Sequence, residues 1–293
     1  MNGSPMPDPA SRRSPRFSFK VWPRDIEWLQ LRDIWIAADE GDAYDGAWLF
    51  DHFYPPRPGQ RGELFEAWTL LAALAAATSR LRLGVMVSSN TFRHPSLLAK
   101  MAVTVDRVSG GRLDIGLGAG WHAEEHEAFG IDLPPAAERW ERLADTCAIV
   151  DGLMTQDVFS FAGKHHVLHE AEAGLKPVQQ PRPPIVIGGV GPKRTLPLVA
   201  RWADHWNYYE RPMTPESFAS ARNRLGDLCA QLGRDPGEIE VSVQMLYPDD
   251  PQAAAEAAAA YLQAGADQIL MSFRTPVTSG AVEACGEALA ALR

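Results

Sequence analysis

The chain has 293 residues, 46% of them hydrophobic, with a net charge of −9 and a pI near 5.4. That length holds one large α/β domain or two small ones, with enough apolar material for a sizeable core. The acidic balance argues against a nucleic-acid partner, which needs a basic face, and no apolar run is long enough to span a bilayer, which argues against a membrane partner.

Residues 1–15 (MNGSPMPDPASRRSP) are rich in Pro, Ser and Arg and lack the apolar stretch of a signal peptide. They are expected to form a disordered tail, and residues 16–293 a single domain. From there, short apolar runs alternate with helical patterns. A strand at Phe17–Val21 precedes a helix at Ile26–Glu40, and a strand at Ala47–Phe50 precedes a helix at Ala67–Ala77. Leu81–Val87 leads to a helix at Ser96–Val108, with Pro95 suited to its first turn. Leu113–Leu117 precedes Ala136–Leu153, Ile185–Ile187 precedes Arg194–Ala203, and His205–Tyr208 precedes Pro215–Leu232. Ile239–Leu246 then precedes Ala253–Ala264, and Gln268–Ser272 a last helix at Ala281–Leu292. Strands alternating with helices imply a parallel sheet. Eight such units predict an α/β fold of the (β/α)8 TIM-barrel type, with a doubly wound open sheet as competitor. An insertion at about 155–184 breaks the rhythm. It reads as a hairpin followed by a proline-rich return, acting either as a lid or as a decoration packed on a barrel end.

The three cysteines, Cys147, Cys229 and Cys285, are widely spaced in helical segments. A disulfide framework is not expected, and a cytoplasmic setting is the simplest.

In such a barrel the chemistry sits at the C-terminal strand ends. After the second strand come Asp51 and His52, an imidazole able to move a proton near neutral pH beside a carboxylate able to accept a hydrogen bond from a cofactor. The bland reading is a helix-capping Asp and a structural His. After the third come Met86, Val87, Ser88, Ser89, Asn90 and Thr91, small enough in part for a flat ring to lie on the backbone, or an ordinary turn. Arg93 and His94 follow near the same mouth, either as part of a site or as merely solvated residues. The fourth strand leaves through Gly116, Gly118 and Gly120 into Trp121, His122, Glu124, Glu125 and His126. Its glycines are expected to make room for a flat ring. They miss the spacing of a dinucleotide fingerprint. His122, Glu125 and His126 match an inverted zinc-peptidase pattern, but a short helix without a third ligand argues against metal. His165, His166 and His169 in the insertion read as surface residues. After the fifth strand, Gly188, Gly189, Val190, Gly191, Pro192, Lys193 and Arg194 form a glycine loop ahead of a helix with Pro192 in its first turn, suited to a phosphate or else a plain turn.

These pieces in this order resemble the luciferase-like monooxygenase superfamily, and within it the branch using the deazaflavin coenzyme F420. The likeness rests on Asp51-His52-Phe53, the run Trp68–Arg80, Phe92-Arg93-His94-Pro95, Ser109-Gly110-Gly111-Arg112, Gly118-Ala119-Gly120-Trp121, Gly188-Gly189 and Ala203-Asp204. It covers about Phe17 to Asn207, with a weaker tail to Ala264. The resemblance implies that Asp51 and His52 flank the ring, with His52 as proton donor or as stabiliser of charge on the ring. It also implies a cis peptide at Met86–Val87 behind the ring, Ser89 at its polar edge, and Gly188, Gly189 and Gly191 on the phosphate. Trp121, His122 and Glu124 are then placed at the ring–substrate junction, and a homodimer is implied. Two departures touch the substrate side. Pro55-Pro56 stands where some deazaflavin relatives have a tryptophan shortly after the Asp-His pair, and His122 stands where many have Asn.

The expected activity is hydride transfer between F420 and a small organic substrate, catalysed through His52, Glu124 and Trp121. An FMN-dependent monooxygenase on the same fold is the alternative. A non-redox lyase or hydrolase acting on a phosphorylated substrate, and a protein that only carries the deazaflavin, are readings of other classes.

Overall fold

The computed structural model describes residues 14–55, 60 and 62–293. Most of the expected N-terminal tail, and Pro56, lie outside the described residues. In chain order the elements are β1 (Arg16–Val21), α1 (Trp28–Glu40), β2 (Gly46–Leu49), α2 (Ala67–Ala77), β3 (Arg82–Val85), β4 (Ser88–Ser89) and α3 (Pro95–Ser109). There follow β5 (Leu113–Gly118), α4 (Ala123–Phe129), α5 (Ala136–Thr155), β6 (Val158–Ala162), β7 (Val167–Glu172), β8 (Ile185–Gly188) and α6 (Thr195–Trp202). The chain ends with β9 (His205–Tyr208), α7 (Pro215–Leu232), β10 (Glu240–Leu246), α8 (Pro251–Gln263), β11 (Gln268–Phe273) and α9 (Ser279–Ala290). Among the described residues nine strands join in the order β3-β2-β1-β11-β10-β9-β8-β5-β4, and β3 pairs with β5 as well, which closes the sheet. The fold is the expected parallel (β/α)8 barrel.

Helix starts follow local chemistry. Glu66 caps α2 by accepting from the Trp68 and Thr69 amides at 3.1 and 2.7 Å. Pro95 opens α3, where its missing N–H costs nothing. Thr214 and Ser217 form a reciprocal capping box on α7.

The described residues group into two compact units. One comprises the chain up to Trp22, Ile26–Trp48 and Val186–Arg293; the other comprises Pro23–Asp25 and Leu49–Ile185. In the first, β1 pairs in parallel with β2 and β11, β10 with β11 and β9, and β9 with β8. Alternation along β1 sends Phe17 and Phe19 to the helix side, where the Phe19 ring meets Trp35 at 5.9 Å and Tyr44 at 5.0 Å. Ser18 and Lys20 take the opposite face, the interior of such a barrel, and both are buried.

In the second unit the third strand departs from expectation. Instead of running through Val87, it stops at Val85 and resumes as the two-residue β4 beside β5. The Met86–Val87 peptide is cis, the geometry the resemblance implied, and the Met86 amide donates to the Leu49 carbonyl at 2.8 Å. The glycines of β5 explain how this break is accommodated. A Cβ on Gly116 would overlap the Val85 carbonyl oxygen, and one on Gly118 would overlap a Val87 methyl. These two glycines therefore make room for the adjoining chain, which corrects the expectation that they leave space for a ring.

The run Ser109–Arg112 also serves the scaffold. The Arg112 guanidinium donates to the carbonyls of Ala75, Thr78, Leu81 and Ser109 at 2.7–2.8 Å and to the Thr78 hydroxyl at 3.0 Å. It closes the end of α2 without a glycine cap.

The expected hairpin is present as β6 paired antiparallel with β7. It is fastened to α5: the Phe159 ring covers Gly152, where a side chain would collide with it. His165 and His166 are not the surface residues expected. Their side chains are 13% and 10% exposed, His165 pairs with Glu141 at 2.9 Å, and His166 pairs with Asp145 at 3.3 Å. His169 is exposed. Cys147, Cys229 and Cys285 are free and buried. Among the described residues no helix is long and apolar enough to cross a membrane.

Candidate active site

The ends of β2, β4 and β5 bring a set of polar side chains together in the second unit. Glu125, on the first turn of α4, is fully buried. One of its carboxylate oxygens accepts from His52 Nδ1 at 2.8 Å and contacts His122 Nδ1 at 3.3 Å. The other accepts from the amides of Phe53 and, at 3.3 Å, Tyr54. Burial disfavours its charge, but the hydrogen bonds and charge of His52 and the two amides outweigh that, so the Glu125 carboxyl is held below its usual range. An ionised carboxylate can only accept, so Nδ1 of His52 carries a proton and Nε2 is left without a hydrogen bond among the described residues. A carboxylate that fixes the tautomer of an imidazole in this way prepares its far nitrogen for proton transfer.

His122 is 4% exposed, and its Nε2 is buried without a partner among the described residues. The half-exposed Trp121 ring lies 5.8 Å from His52 and 4.9 Å from His122. His126 is separate. Its Nδ1 meets the His122 carbonyl at 2.8 Å and its Nε2 meets Thr91 Oγ1 at 2.7 Å, so the zinc pattern read in the sequence is not assembled. His52, His122 and Glu125 form a different trio whose candidate ligand atoms lie within 4.8 Å of one another. At 2.8 Å the His52–Glu125 contact has hydrogen-bond length.

Asp51 is engaged inside the protein. Arg93 meets it with two nitrogens at 2.6 and 3.0 Å, and the Ser89 amide donates to it at 3.3 Å. Arg93 also pairs with Glu66 and is 9% exposed in its side chain. Of the two options for Arg93, this excludes simple solvation: two carboxylates draw it in, and their attraction outweighs burial and raises its pKa. Burial raises the pKa of Asp51 despite the opposing pull of Arg93. Ser89 Oγ shares a 2.6 Å hydrogen bond with Thr91.

A cavity of about 600 Å³ adjoins these residues, lined by Asn90, Arg93, Glu138, Arg142 and, from the hairpin, His166. Asn90 is 7% exposed, and its Oδ1 has no partner among the described residues. Unpartnered buried atoms on Asn90 and His122 suit a polar ring that supplies the missing partners.

In the first unit, Gly188 ends β8 and the loop to α6 follows. Gly189 has φ +108°, a conformation open to glycine, and its amide donates to the Asn207 carbonyl at 3.1 Å. The amides of Val190 and Gly191 make no hydrogen bond among the described residues. Lys193 and Arg194 are exposed. Pro192 lies in the turn ahead of α6 and not within it, because the helix begins only at Thr195. The buried Thr195, not singled out in the sequence, lies beside Gly189 and Gly191. Free amides, a helix start and two cations suit an anionic group such as phosphate.

The profile described as luciferase-like monooxygenase matches residues 26–288. The chain belongs to this family. It is 29% identical over 238 residues to an F420-dependent glucose-6-phosphate dehydrogenase of Kineococcus radiotolerans, a match spanning 78% of this chain and 66% of that one. It is likewise 29% identical over 214 residues to pyrimidine monooxygenase RutA of Escherichia coli, covering 72% of this chain and 54% of the relative. The matches thus span between about half and two thirds of these curated relatives. Among solved structures, an F420-dependent secondary alcohol dehydrogenase bound to an F420–acetone adduct superposes with a TM-score of 0.84 over 96% of this chain and all of that one, at 16% identity. That likeness establishes the shared fold. Within this luciferase-like chain, the quoted landmarks divide by task. Asp51-His52 and Trp121 fall in the polar cluster, Gly188-Gly189 in the glycine loop, and Ser109–Arg112 in the scaffold.

The carboxylate that meets His52 is Glu125, next to the anticipated Glu124, which is half-buried. His122 and Glu125 are three residues apart and share a helix face, whereas Glu124 is turned away by one position. That spacing was legible as part of the zinc pattern, but its partner across the chain was not.

Proposed function

We propose that the protein is an F420-dependent oxidoreductase that transfers a hydride between the deazaflavin and a small organic substrate. The observation that carries this reading is the buried Glu125 behind His52, which leaves one imidazole nitrogen committed and the other available for proton transfer. Relatives named as F420-dependent support the choice of coenzyme.

A bound deazaflavin would supply the hydride-transfer chemistry. Asn90 and His122 would hold its polar atoms through their unpartnered Oδ1 and Nε2, with Ser89 at its polar edge, the Met86–Val87 backbone behind the ring, and Asp51 bracing the Ser89 amide. Gly188, Gly189 and Gly191, with the free amides of Val190 and Gly191, take the phosphate, and Lys193 and Arg194 add positive charge. His52 Nε2 carries the proton that must arrive or leave as the substrate gains or loses hydride. Trp121 and Glu124 bound the substrate side. The protein acts in the cytoplasm as a homodimer.

A second reading, an FMN-dependent monooxygenase, draws on the relative named pyrimidine monooxygenase RutA. Separate titrations with oxidised F420 and with FMN, followed by tryptophan quenching, distinguish the two. Micromolar binding of F420 without FMN is expected, and the reverse preference would overturn the proposal.

A further inference from the structure

We propose that Lys20 is an anion-anchoring residue, whose ammonium group, buried on the interior face of β1, receives a negatively charged group of the coenzyme or substrate. The surroundings argue for it. Lys20 is 5% exposed, and its Nζ donates to Gln244 Oε1 at 2.9 Å. Among the described residues that neutral amide is its only hydrogen-bonding partner, and no carboxylate pairs with it. Trp48 on β2 and Ser272 on β11 flank it in register.

Most of the remaining polar groups on this face bond to one another, although Gln268 Oε1 has no partner among the described residues. Gln268 donates to Ser18 at 2.7 Å, while Asn207 and His205 both meet the Ser242 hydroxyl, at 2.8 and 2.7 Å. The other titratable groups on this face are His205, whose ring lies edge-on to Trp48 at 6.1 Å, and the Arg16–Glu240 ion pair at the opposite strand ends. None offers Lys20 a counter-charge.

A buried ammonium facing only neutral dipoles is costly, and the cost is visible in its acidity: burial lowers the pKa of Lys20 from 10.5 to about 7. An apolar side chain of similar length would fill the position without that penalty. An arriving anion removes the penalty by supplying the missing partner. Lys20 is next to the last residue of β1, toward the strand ends where such barrels bind ligands. That orientation is the one part of the inference that rests on the proposed function. The lack of a counter-ion does not.

Anion binding should then draw a proton onto Lys20 from solution. The test is calorimetric titration at pH 8 in two buffers of different ionisation enthalpy. Oxidised F420, FMN, and then acetate added to whichever complex forms serve as probes. Uptake close to one proton with a coenzyme, lost in Lys20→Met, assigns the anion to the coenzyme. Uptake only on adding acetate, again lost in Lys20→Met, assigns it to substrate. Lys20→Arg should keep the affinity and abolish the uptake, because a guanidinium is always charged, and it serves if Lys20→Met does not fold. Equal uptake in wild type and Lys20→Met, or none with any probe, overturns the proposal. Binding of FMN but not F420 would sink the coenzyme assignment while leaving this measurement intact.

Discussion

At the scale of single residues, the active cluster depends on one buried carboxylate with four donors around it. Replacing Glu125 by Gln keeps the volume but removes the charge that fixes the His52 tautomer. We expect kcat to fall by about 10²-fold, within the usual range for a proton-transfer group, with coenzyme affinity changed far less. His52→Ala should show the same split between rate and affinity. Rate and affinity falling together in both variants would demote the pair to a structural role. Arg93→Met tests the neighbouring ion pair. It strands Asp51, which is 3% exposed, and should destabilise the fold by about 3 kcal/mol in denaturant titration. A loss below 1 kcal/mol would mean that Asp51 finds other partners. The sequence displayed all of these residues. What it did not display was that Glu125, not Glu124, turns toward His52, because one step along a seven-residue helix rotates a side chain by about 100° and nothing local fixes which face is inward.

At the scale of elements, the alternation of apolar runs and helical patterns predicted the eight strand–helix units, because each barrel strand must bury its side chains on both faces. The hairpin was equally legible from its alternating apolar residues. The break between β3 and β4 was not, since Leu81–Val87 reads as one continuous strand and only the neighbouring backbone reveals the interruption. The same neighbour gives a prediction. Gly116→Ala places a methyl group on the Val85 carbonyl and must displace backbone, so it should cost about 1–3 kcal/mol by the usual measure of overpacking. Because Gly110 has no atoms within 4 Å of an added Cβ but sits at φ +68°, Gly110→Ala should suffer only the milder conformational penalty. Equal melting temperatures for the two variants would contradict this account of β5.

At the scale of the whole molecule, two buried charges act on stability in opposite ways. The carboxyl of Glu125 is below its usual value near 4.5 when folded, so its contribution is present above that pH and lost as pH falls through the lowered value. Lys20 is lowered from 10.5 to about 7, so the native state gives up this proton first, and its penalty is full below pH 7 and fades between 7 and 10.5. Lys20→Met should therefore raise the melting temperature more at pH 6 than at pH 10. A constant difference across that range would mean the ammonium is already compensated.

The Arg112 clamp carries a consequence for motion. A guanidinium has five N–H protons, and here they are spent on the last turn of α2, the approach to β3 and the turn before β5. None of these segments can loosen without stranding donors that serve the others. Their amides should consequently exchange with deuterium as one cooperative block, with a shared opening free energy. The Arg112→Lys variant, with three donors for five acceptors, should split that block into parts that open at different rates.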